Sequence, residues 1–296
     1  MVYRFEDASC FVVACDNCRT ETILPHPGTN QLHDFYTDYY NTETPETNMP
    51  LLIERSARLF EDLREAMTLA DLTALPYLEV GFGNGASLLA AAQAGMEAVG
   101  IDVDQSKVRE VANRASRLGL KIDLKCGDLN DEVELEGRFS LIKASQVIEH
   151  LLDPVGFVRT LIRVLAPRGY LYLECPNNTA AFLRVKNLLR RQFKRMNFYN
   201  SLKIGEHLWG FGKPGLCELL RRLDLDIISC RSYPIRHRYL QPENLVWYPS
   251  FAMGVRQSMA YRRAYPLLKA SIAVFDRFAY LSADQGMGLR VLARKN

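Results

Sequence analysis

The stretch LEVGFGNGASLL, residues 78–89, joins a short apolar run to an Ala/Leu-rich segment through three glycines at alternate positions. Glycine is favoured where the backbone takes left-handed values or must lie directly against a ligand. The N-terminus of a following helix offers unpaired N–H groups that can bind such a ligand. The stretch therefore predicts a strand, a turn through Gly81, Gly83 and Gly85, and a helix, with Glu79 at the end of the strand.

The local motif leaves three interpretations of this turn open. A tight strand-to-helix turn without a ligand is the simplest, although three alternate glycines exceed what such a turn needs. A nicotinamide dinucleotide site also fits, because Gly81, Gly83 and Ala86 match G-x-G-x-x-[GA] and Asp102 lies 21 residues beyond Gly81. Glu79 favours a third ligand, S-adenosylmethionine, since its carboxylate would repel a pyrophosphate but attract a sulfonium and an ammonium group. Asp102 would then accept the ribose hydroxyls.

Short apolar runs alternate with segments of helical periodicity around this turn. Such alternation predicts βαβ units and an α/β fold with a parallel sheet covered by helices on both faces. Residues 1–50 are predicted to be irregular, and apolar residues at helical spacing from 267 to 278 predict a late helix. The predicted strands are 77–80, 98–102, 121–129, 139–148, 169–176, 224–233 and 288–295, and the other predicted helices are 51–69, 86–94, 105–118, 155–165 and 214–223.

Composition limits the class of protein. The 296 residues are 48% hydrophobic and 24% charged, as in ordinary globular proteins, and the net charge of +3 is too small to indicate nucleic acid as a partner. The opening residues do not resemble a signal peptide, and no uncharged run of about 18 apolar residues is present. Together with seven scattered cysteines, these features predict a cytoplasmic protein with reduced thiols.

Three motifs in order, E-V-G-F-G-N-G, G-I-D-V-D and C-G-D-L, resemble those of class I S-adenosylmethionine-dependent methyltransferases. The segments QVIEHLLDP and LAPRGYLYLECPN are similar to the ubiquinone-type O-methyltransferases and the small-molecule methyltransferases around them. The resemblance implies S-adenosyl-L-methionine as cofactor and a Rossmann-like, seven-stranded, mostly parallel sheet whose last strand is antiparallel. It also implies a division into an N-terminal extension (1–50), a methyltransferase core (51–233), a helical insertion (234–284) and a final core strand (285–296).

The same resemblance implies an activity. A methyl group would move to a small-molecule or lipid- or sugar-linked acceptor, with oxygen the favoured target atom. A catalytically silent binding module of the same fold is the alternative, and an NAD-dependent oxidoreductase comes third.

Roles for individual residues follow from their positions in these motifs. Gly81, Gly83 and Gly85 would line the methionine part of the cofactor, with Glu79 behind them. Asp102 would hold the ribose hydroxyls. The remaining predicted cofactor contacts are Val103 against adenine, Asp128 at the adenine amino group, Leu129 through its backbone N–H and an apolar wall, and Ser145 and Gln146 beside the methionine. Ser140 departs from the family, which usually has Asp there; that acid is commonly structural.

Two histidines are candidates for the base that a hydroxyl acceptor needs. His150 follows the fourth strand of the core, and His207 lies in GEHLWGFGKP ahead of a helix. A structural role is an equal alternative for each. Glu149, His150 and Asp153 form only a weak pattern for a divalent ion.

Cys15 and Cys18 have the spacing of half a zinc knuckle, but a second pair is missing. Zinc needs four ligands, and Cys10 with His26 or His33 would have to complete the set. We therefore favour a metal-free remnant, with Cys15 and Cys18 as weak metal candidates.

Residues 182–196 combine six Arg and Lys residues with apolar ones and contain no acid. A solvated helix face is the simplest interpretation. An anionic membrane surface, giving peripheral attachment, or an acidic acceptor is the alternative.

Overall fold

The computed structural model describes residues 2–5, 8–26, 28, 48–129, 135–185, 207–234 and 259–296. Most of the basic segment 182–196 and residues 235–258 of the predicted insertion lie outside these ranges, as do His33 and residues 130–134. Among the described helices, none has the length and hydropathy needed to span a bilayer.

The N-terminal region contains regular structure where the sequence predicts none. It forms strands β1 (Val2–Phe5), β2 (Ala8–Ala14) and β3 (Glu21–Leu24), which pair antiparallel in that order and are followed by helix α1 (Met49–Ala66). A turn at Cys15–Cys18 connects β2 to β3, and Arg19 after it takes a left-handed φ of 59°. The strands were missed because they are short and because β3 completes its pairing with residues near position 210, far away in sequence.

The middle of the chain follows the predicted alternation closely. Helix α2 begins directly after the glycine turn, and Asp104 caps α3 by accepting the Ser106 N–H at 2.7 Å. The elements are β4 (Pro76–Val80), α2 (Ala86–Gln93), β5 (Glu97–Asp102), α3 (Gln105–Arg117), β6 (Asp123–Cys126), β7 (Phe139–Ser145), α4 (Pro154–Val164) and β8 (Leu165–Pro176).

The last part of the chain adds two strands to the sheet formed by β4 to β8 and one strand to the N-terminal sheet. It comprises β9 (Trp209–Gly210), α5 (Lys213–Arg222), β10 (Leu225–Tyr233), α6 (Met259–Ala283) and β11 (Gly288–Lys295). Strand β9 pairs with β3 and so joins the N-terminal sheet rather than the central one.

The central sheet has seven strands in the order β10-β11-β8-β7-β4-β5-β6. Strands β6, β5, β4, β7 and β8 run parallel, whereas β11 is antiparallel to both β8 and β10. The predicted fold class, a Rossmann-like sheet with an antiparallel last strand, is confirmed.

Apolar side chains cover both faces of this sheet, as a parallel sheet requires. On one face, Leu78 and Ile142 pack in a cluster with residues of α4 and α5. On the other, Tyr77 and Leu141 pack with Phe60 of α1 and with residues of α2 and α3. The carboxyl ends of the parallel strands are thereby aligned at one edge, where ligands bind in this architecture.

Candidate cofactor and acceptor site

The three glycines of the turn between β4 and α2 all take left-handed φ values, which are 66°, 53° and 72° at Gly81, Gly83 and Gly85. A Cβ on Gly81 would lie 2.6 Å from the Val147 side chain, and one on Gly85 would lie 2.4 Å from that of Val111. A Cβ on Gly83 would meet no atom within 4 Å. Gly81 and Gly85 are therefore needed for packing, whereas Gly83 leaves open space beside the turn for a ligand.

Asp102 ends β5 beside this turn. Its Oδ2 accepts the Gly83 N–H at 2.9 Å, and its Oδ1 accepts the Asp104 N–H at 3.0 Å. Burial raises the pKa of the Asp102 carboxyl above its usual value, against the lowering effect of these two N–H donors. Each carboxylate oxygen keeps a second lone pair, so the group can still accept ribose hydroxyls.

The predicted adenine contacts differ in exposure. The Val103 side chain is 77% exposed, so its contact with adenine stays a prediction. Asp128 is exposed near the end of the next strand. The Leu129 side chain is 3% exposed and packs in the core, so it does not form an apolar wall for a ligand; its backbone N–H stays a predicted contact.

Glu79 is not the uncompensated negative charge that the sequence suggested. Lys143 of the neighbouring strand β7 donates to its Oε1 at 2.6 Å, and the Tyr77 hydroxyl donates to its Oε2 at 3.2 Å. Burial and the Glu79 charge raise the pKa of Tyr77 well above its usual value, so this hydroxyl keeps its proton. The expectation that Glu79 repels a pyrophosphate is therefore wrong, because the Lys143 ammonium neutralises the carboxylate.

Ser145 and Gln146 lie where β7 ends. Gln146 is exposed and takes a left-handed φ of 58°, which is unusual for a residue other than glycine and is frequent at functional sites. Its N–H donates to the Glu174 carbonyl at 2.8 Å. The Glu174 carboxylate accepts the Ser145 hydroxyl at 2.8 Å and the Tyr172 hydroxyl at 2.7 Å.

Sequence reasoning missed Lys143, Tyr172 and Glu174. The signal that could have found them is a polar or charged residue inside an otherwise apolar strand, as in FSLIKAS and LYLEC. All three lie on the same face of the sheet as Glu79 and Ser145, since the register aligns Glu79 with Lys143, Lys143 with Tyr172, and Ser145 with Glu174.

The two candidate histidines lie together, although 57 positions separate His150 from His207 in the sequence. Their ring centroids are 4.9 Å apart at an interplanar angle of 74°, and His150 Nε2 lies 3.7 Å from Oε1 of Glu149. Glu149 is 1% exposed. Ligand atoms of these three residues all lie within 4.8 Å of one another. Asp153 has another role, because it caps α4 by accepting the Gly156 N–H at 2.8 Å.

The N-terminal sheet holds His207 in this position. The Leu208 N–H donates to the Glu149 carbonyl at 2.8 Å, and the Leu208 carbonyl accepts from the Ile23 N–H and the Thr22 hydroxyl of β3. Trp209 of β9 donates its indole N–H to the Leu151 carbonyl at 2.8 Å. The loop after β7, the segment around His207 and the extension therefore form one hydrogen-bonded unit.

Cys15 is exposed and Cys18 is half-buried at the turn between β2 and β3. Backbone N–H groups of Cys18 and Asn17 point at the Cys15 sulfur and lower the pKa of its thiol. The His26 ring lies edge-on to Trp209 and its Nε2 lies 3.0 Å from the Thr22 hydroxyl oxygen. The zinc question stays a prediction, since the structure describes no Cys10 side chain.

A glycine turn beside an acid at the end of the next strand, at one edge of this sheet, is typical of nucleoside-binding sites in Rossmann-like folds. The sequence profile described as a methyltransferase domain matches residues 50–230, more than half of the chain. The chain belongs to this methyltransferase family, as the class I motifs predicted, and its cofactor is S-adenosylmethionine.

The named relatives match only part of this chain. The ubiquinone biosynthesis O-methyltransferase of Parvibaculum lavamentivorans is 28% identical over 125 residues, which is 42% of this chain and 45% of that protein. The enzyme of the same name from Rhodopseudomonas palustris is 26% identical over 168 residues, 54% of this chain and 65% of that protein. The chain therefore matches less than two thirds of the length of either relative.

Two solved structures show the same fold. The [4+2]-cyclase SpnF superimposes with a TM-score of 0.51 at 23% identity, over 81% of this chain and 80% of its own. An S-adenosylmethionine-dependent methyltransferase from Mesorhizobium loti gives a TM-score of 0.50 at 16% identity, over 82% of this chain and 100% of its own. At these identities the likeness concerns the fold alone.

Proposed function

We propose that this protein transfers a methyl group from S-adenosylmethionine to a hydroxyl oxygen of a small-molecule acceptor. The observation that carries the proposal is the cluster of Glu149, His150 and His207, of which Glu149 and His207 are buried, in the region that follows Ser145 and Gln146. In our assignment the methionine end of the cofactor lies against Ser145 and Gln146. A base so close to the methyl donor suits an acceptor that must lose a proton as it is methylated.

The bound cofactor would supply an activated methyl group, so the protein mainly has to align it with the acceptor. Asp102 would hold the ribose hydroxyls, and the open space at Gly83 would admit the methionine part of the cofactor. His150 or His207 would take the proton of the acceptor hydroxyl. The buried carboxylate of Glu149 would stabilise the imidazolium that forms.

The acceptor is proposed only by class. The name of the relatives supports a small-molecule acceptor methylated on oxygen, while a lipid- or sugar-linked acceptor remains a further proposal from the basic sequence 182–196. That segment lies mostly outside the described residues, so neither it nor a cytoplasmic, peripherally attached location draws support from the contacts above.

Cofactor binding tests the first half of this proposal. Calorimetry with S-adenosylhomocysteine should show a loss of affinity of about tenfold or more in Asp102→Ala, because two charge-assisted hydrogen bonds to the ribose disappear. Asp123→Ala, which removes an exposed carboxylate at the start of β6, is the matched control. Equal affinity in both variants would contradict the pocket assignment.

Turnover tests the second half. A panel of phenols, sugars and lipid precursors with labelled S-adenosylmethionine should identify an acceptor. On it, His150→Ala or His207→Ala should lower kcat by about 10²- to 10⁴-fold while S-adenosylhomocysteine affinity stays normal. Normal turnover in both single variants would exclude a histidine base, and cofactor binding without turnover on any acceptor would favour a silent binding module.

A further inference from the structure

Helix α6 is attached to the protein by one face. Ile272 packs with Ala180, Leu183 and Met287 in a small buried cluster. Asp276 is fully buried, and its Oδ1 accepts the Met287 N–H at 2.8 Å. These contacts define the inner face of α6 and leave the opposite face turned away from the sheet.

The opposite face is apolar and exposed. Leu267, Val274, Phe278 and Leu281 have exposed fractions of 74%, 69%, 67% and 67%. Steps of seven, four and three residues place these four side chains along one stripe of a helix. Single exposed apolar residues are normal on a protein surface, but a continuous stripe of large ones indicates an interaction site. We call these four residues the α6 stripe.

Polar groups along the α6 stripe are satisfied inside the helix. The Ser271 hydroxyl donates to the Leu267 carbonyl at 2.8 Å, and the Ser282 hydroxyl donates to the Phe278 carbonyl at 2.8 Å. Bonds of this kind to the fourth preceding residue let a serine enter an apolar environment without an unpaired hydroxyl. Burying the α6 stripe would therefore leave neither of these two hydroxyl groups without a hydrogen-bond acceptor.

Within α6, the exposed charge beside the stripe is basic. The sequence of α6 contains four basic residues and a single acid, Asp276, which is the buried one. Arg277 is exposed beside the stripe, with its guanidinium 5.7 Å from the centre of the Tyr280 ring. Arg184 is also exposed, one residue after Leu183, which packs in the same cluster as Ile272. An apolar stripe flanked by cations complements a surface with an apolar interior and anionic groups.

A second copy of the chain suits this surface less well. Pairing two α6 stripes would bring Arg277 of each copy to the same interface, and α6 offers no exposed acid to compensate these charges. We propose that α6 lies on a bilayer containing anionic phospholipid, with the α6 stripe in the interfacial layer and Arg277 among the headgroups. This proposal is independent of the assignments in the cofactor pocket.

Vesicle co-sedimentation of the full chain tests the proposal. We expect binding at low salt to vesicles of phosphatidylcholine with phosphatidylglycerol, and weaker binding to phosphatidylcholine alone or at high salt. The variant Phe278→Gln/Leu281→Gln should weaken binding by about tenfold or more, because it removes two large apolar groups from the interfacial layer. Arg184→Gln/Arg277→Gln should weaken binding to the anionic vesicles but change binding to neutral ones little. Leu118→Gln, which replaces a 50%-exposed leucine at the end of α3, is the matched control and should bind like the wild type.

Three results would overturn the proposal: no sedimentation of the wild type with anionic vesicles at low salt, equal binding by Phe278→Gln/Leu281→Gln, or a lipid-free dimer that this variant dissociates in sedimentation velocity. The last result would mean that a second copy covers the stripe. Unchanged S-adenosylhomocysteine affinity in the stripe variant would show that it is folded, and would separate this test from that of methyl transfer.

Discussion

Alanine substitutions in the glycine turn can separate backbone strain from ligand access. Gly83, Gly85 and Gly119 have φ values of 53°, 72° and 66°, so alanine is strained at all three. A left-handed residue with a Cβ costs about 1–2 kcal/mol. Only at Gly85 does the Cβ also collide with a neighbour, 2.4 Å from Val111, which adds about 1–3 kcal/mol of overpacking.

We expect Gly85→Ala to lower the free energy of unfolding by about 2–5 kcal/mol, the sum of the two costs. Gly83→Ala and Gly119→Ala should each lower it by about 1–2 kcal/mol. Urea denaturation without ligand measures these values. If Gly85→Ala unfolds at the same urea concentration as Gly119→Ala, the packing of Val111 against the turn is not as described.

Affinity for S-adenosylhomocysteine should separate Gly83 from its control. The space beside Gly83 is empty of protein atoms within 4 Å, as is that beside Gly119, but only Gly83 donates its N–H to Asp102. A methyl group at Gly83 would occupy the ligand space, so calorimetry should show a loss of about tenfold or more, or about 1.4 kcal/mol. Gly119→Ala should bind normally. Equal affinity in Gly83→Ala and Gly119→Ala would refute the placement of a ligand against Gly83.

Two further predictions concern buried charges. Lys143→Met should lower the free energy of unfolding by about 3–5 kcal/mol in urea denaturation, because it leaves the Glu79 carboxylate buried without its cation. The double variant Glu79→Leu/Lys143→Met should recover much of this loss. If Lys143→Met is as stable as the wild type, the ion pair is not as described. Burial raises the pKa of Asp102, so this carboxyl group binds a proton at higher pH in the folded protein than in the unfolded chain. The stability that Asp102 contributes is therefore present at low pH and is lost as the pH rises through the pKa of the folded state. Ribose binding needs the ionised form, so S-adenosylhomocysteine affinity should fall on acidification toward that raised pKa in calorimetry, and Asp102→Asn should remove this dependence.

The central sheet could be predicted from sequence because its signals are local. Each strand from β4 to β8 is a short apolar run next to a helix of clear periodicity, and the turns between them contain their own glycine or capping residues. The N-terminal sheet could not be predicted in the same way. Thr22 of β3 bonds to Leu208, a partner 186 positions away, and nothing near either residue indicates the other.

In the candidate site, too, features with a local sequence signal could be predicted and features that depend on distant residues could not. Gly83 and Asp102 lie side by side at the end of the sheet, as their motifs predicted, and their contacts with the cofactor stay predictions. The environment of Glu79 was misjudged because its charge depends on strand register, which places Lys143 opposite it from 64 positions away. The left-handed backbone of Gln146 could not be predicted either, since its N–H partner, the Glu174 carbonyl, lies 28 positions away in sequence.

Hydrogen bonds of Leu208 connect the N-terminal strands to the region around His150. Leu208 bonds on one side to Glu149, next to His150, and on the other side to Ile23 and Thr22 of β3. Because His207 precedes Leu208 directly, this pairing helps to position its ring 4.9 Å from that of His150. Loss of the N-terminal strands would therefore move one candidate base while leaving the glycine turn and Asp102 intact. If His207 acts on the acceptor as proposed, removal of β1 to β3 should lower turnover more than it lowers affinity for S-adenosylhomocysteine.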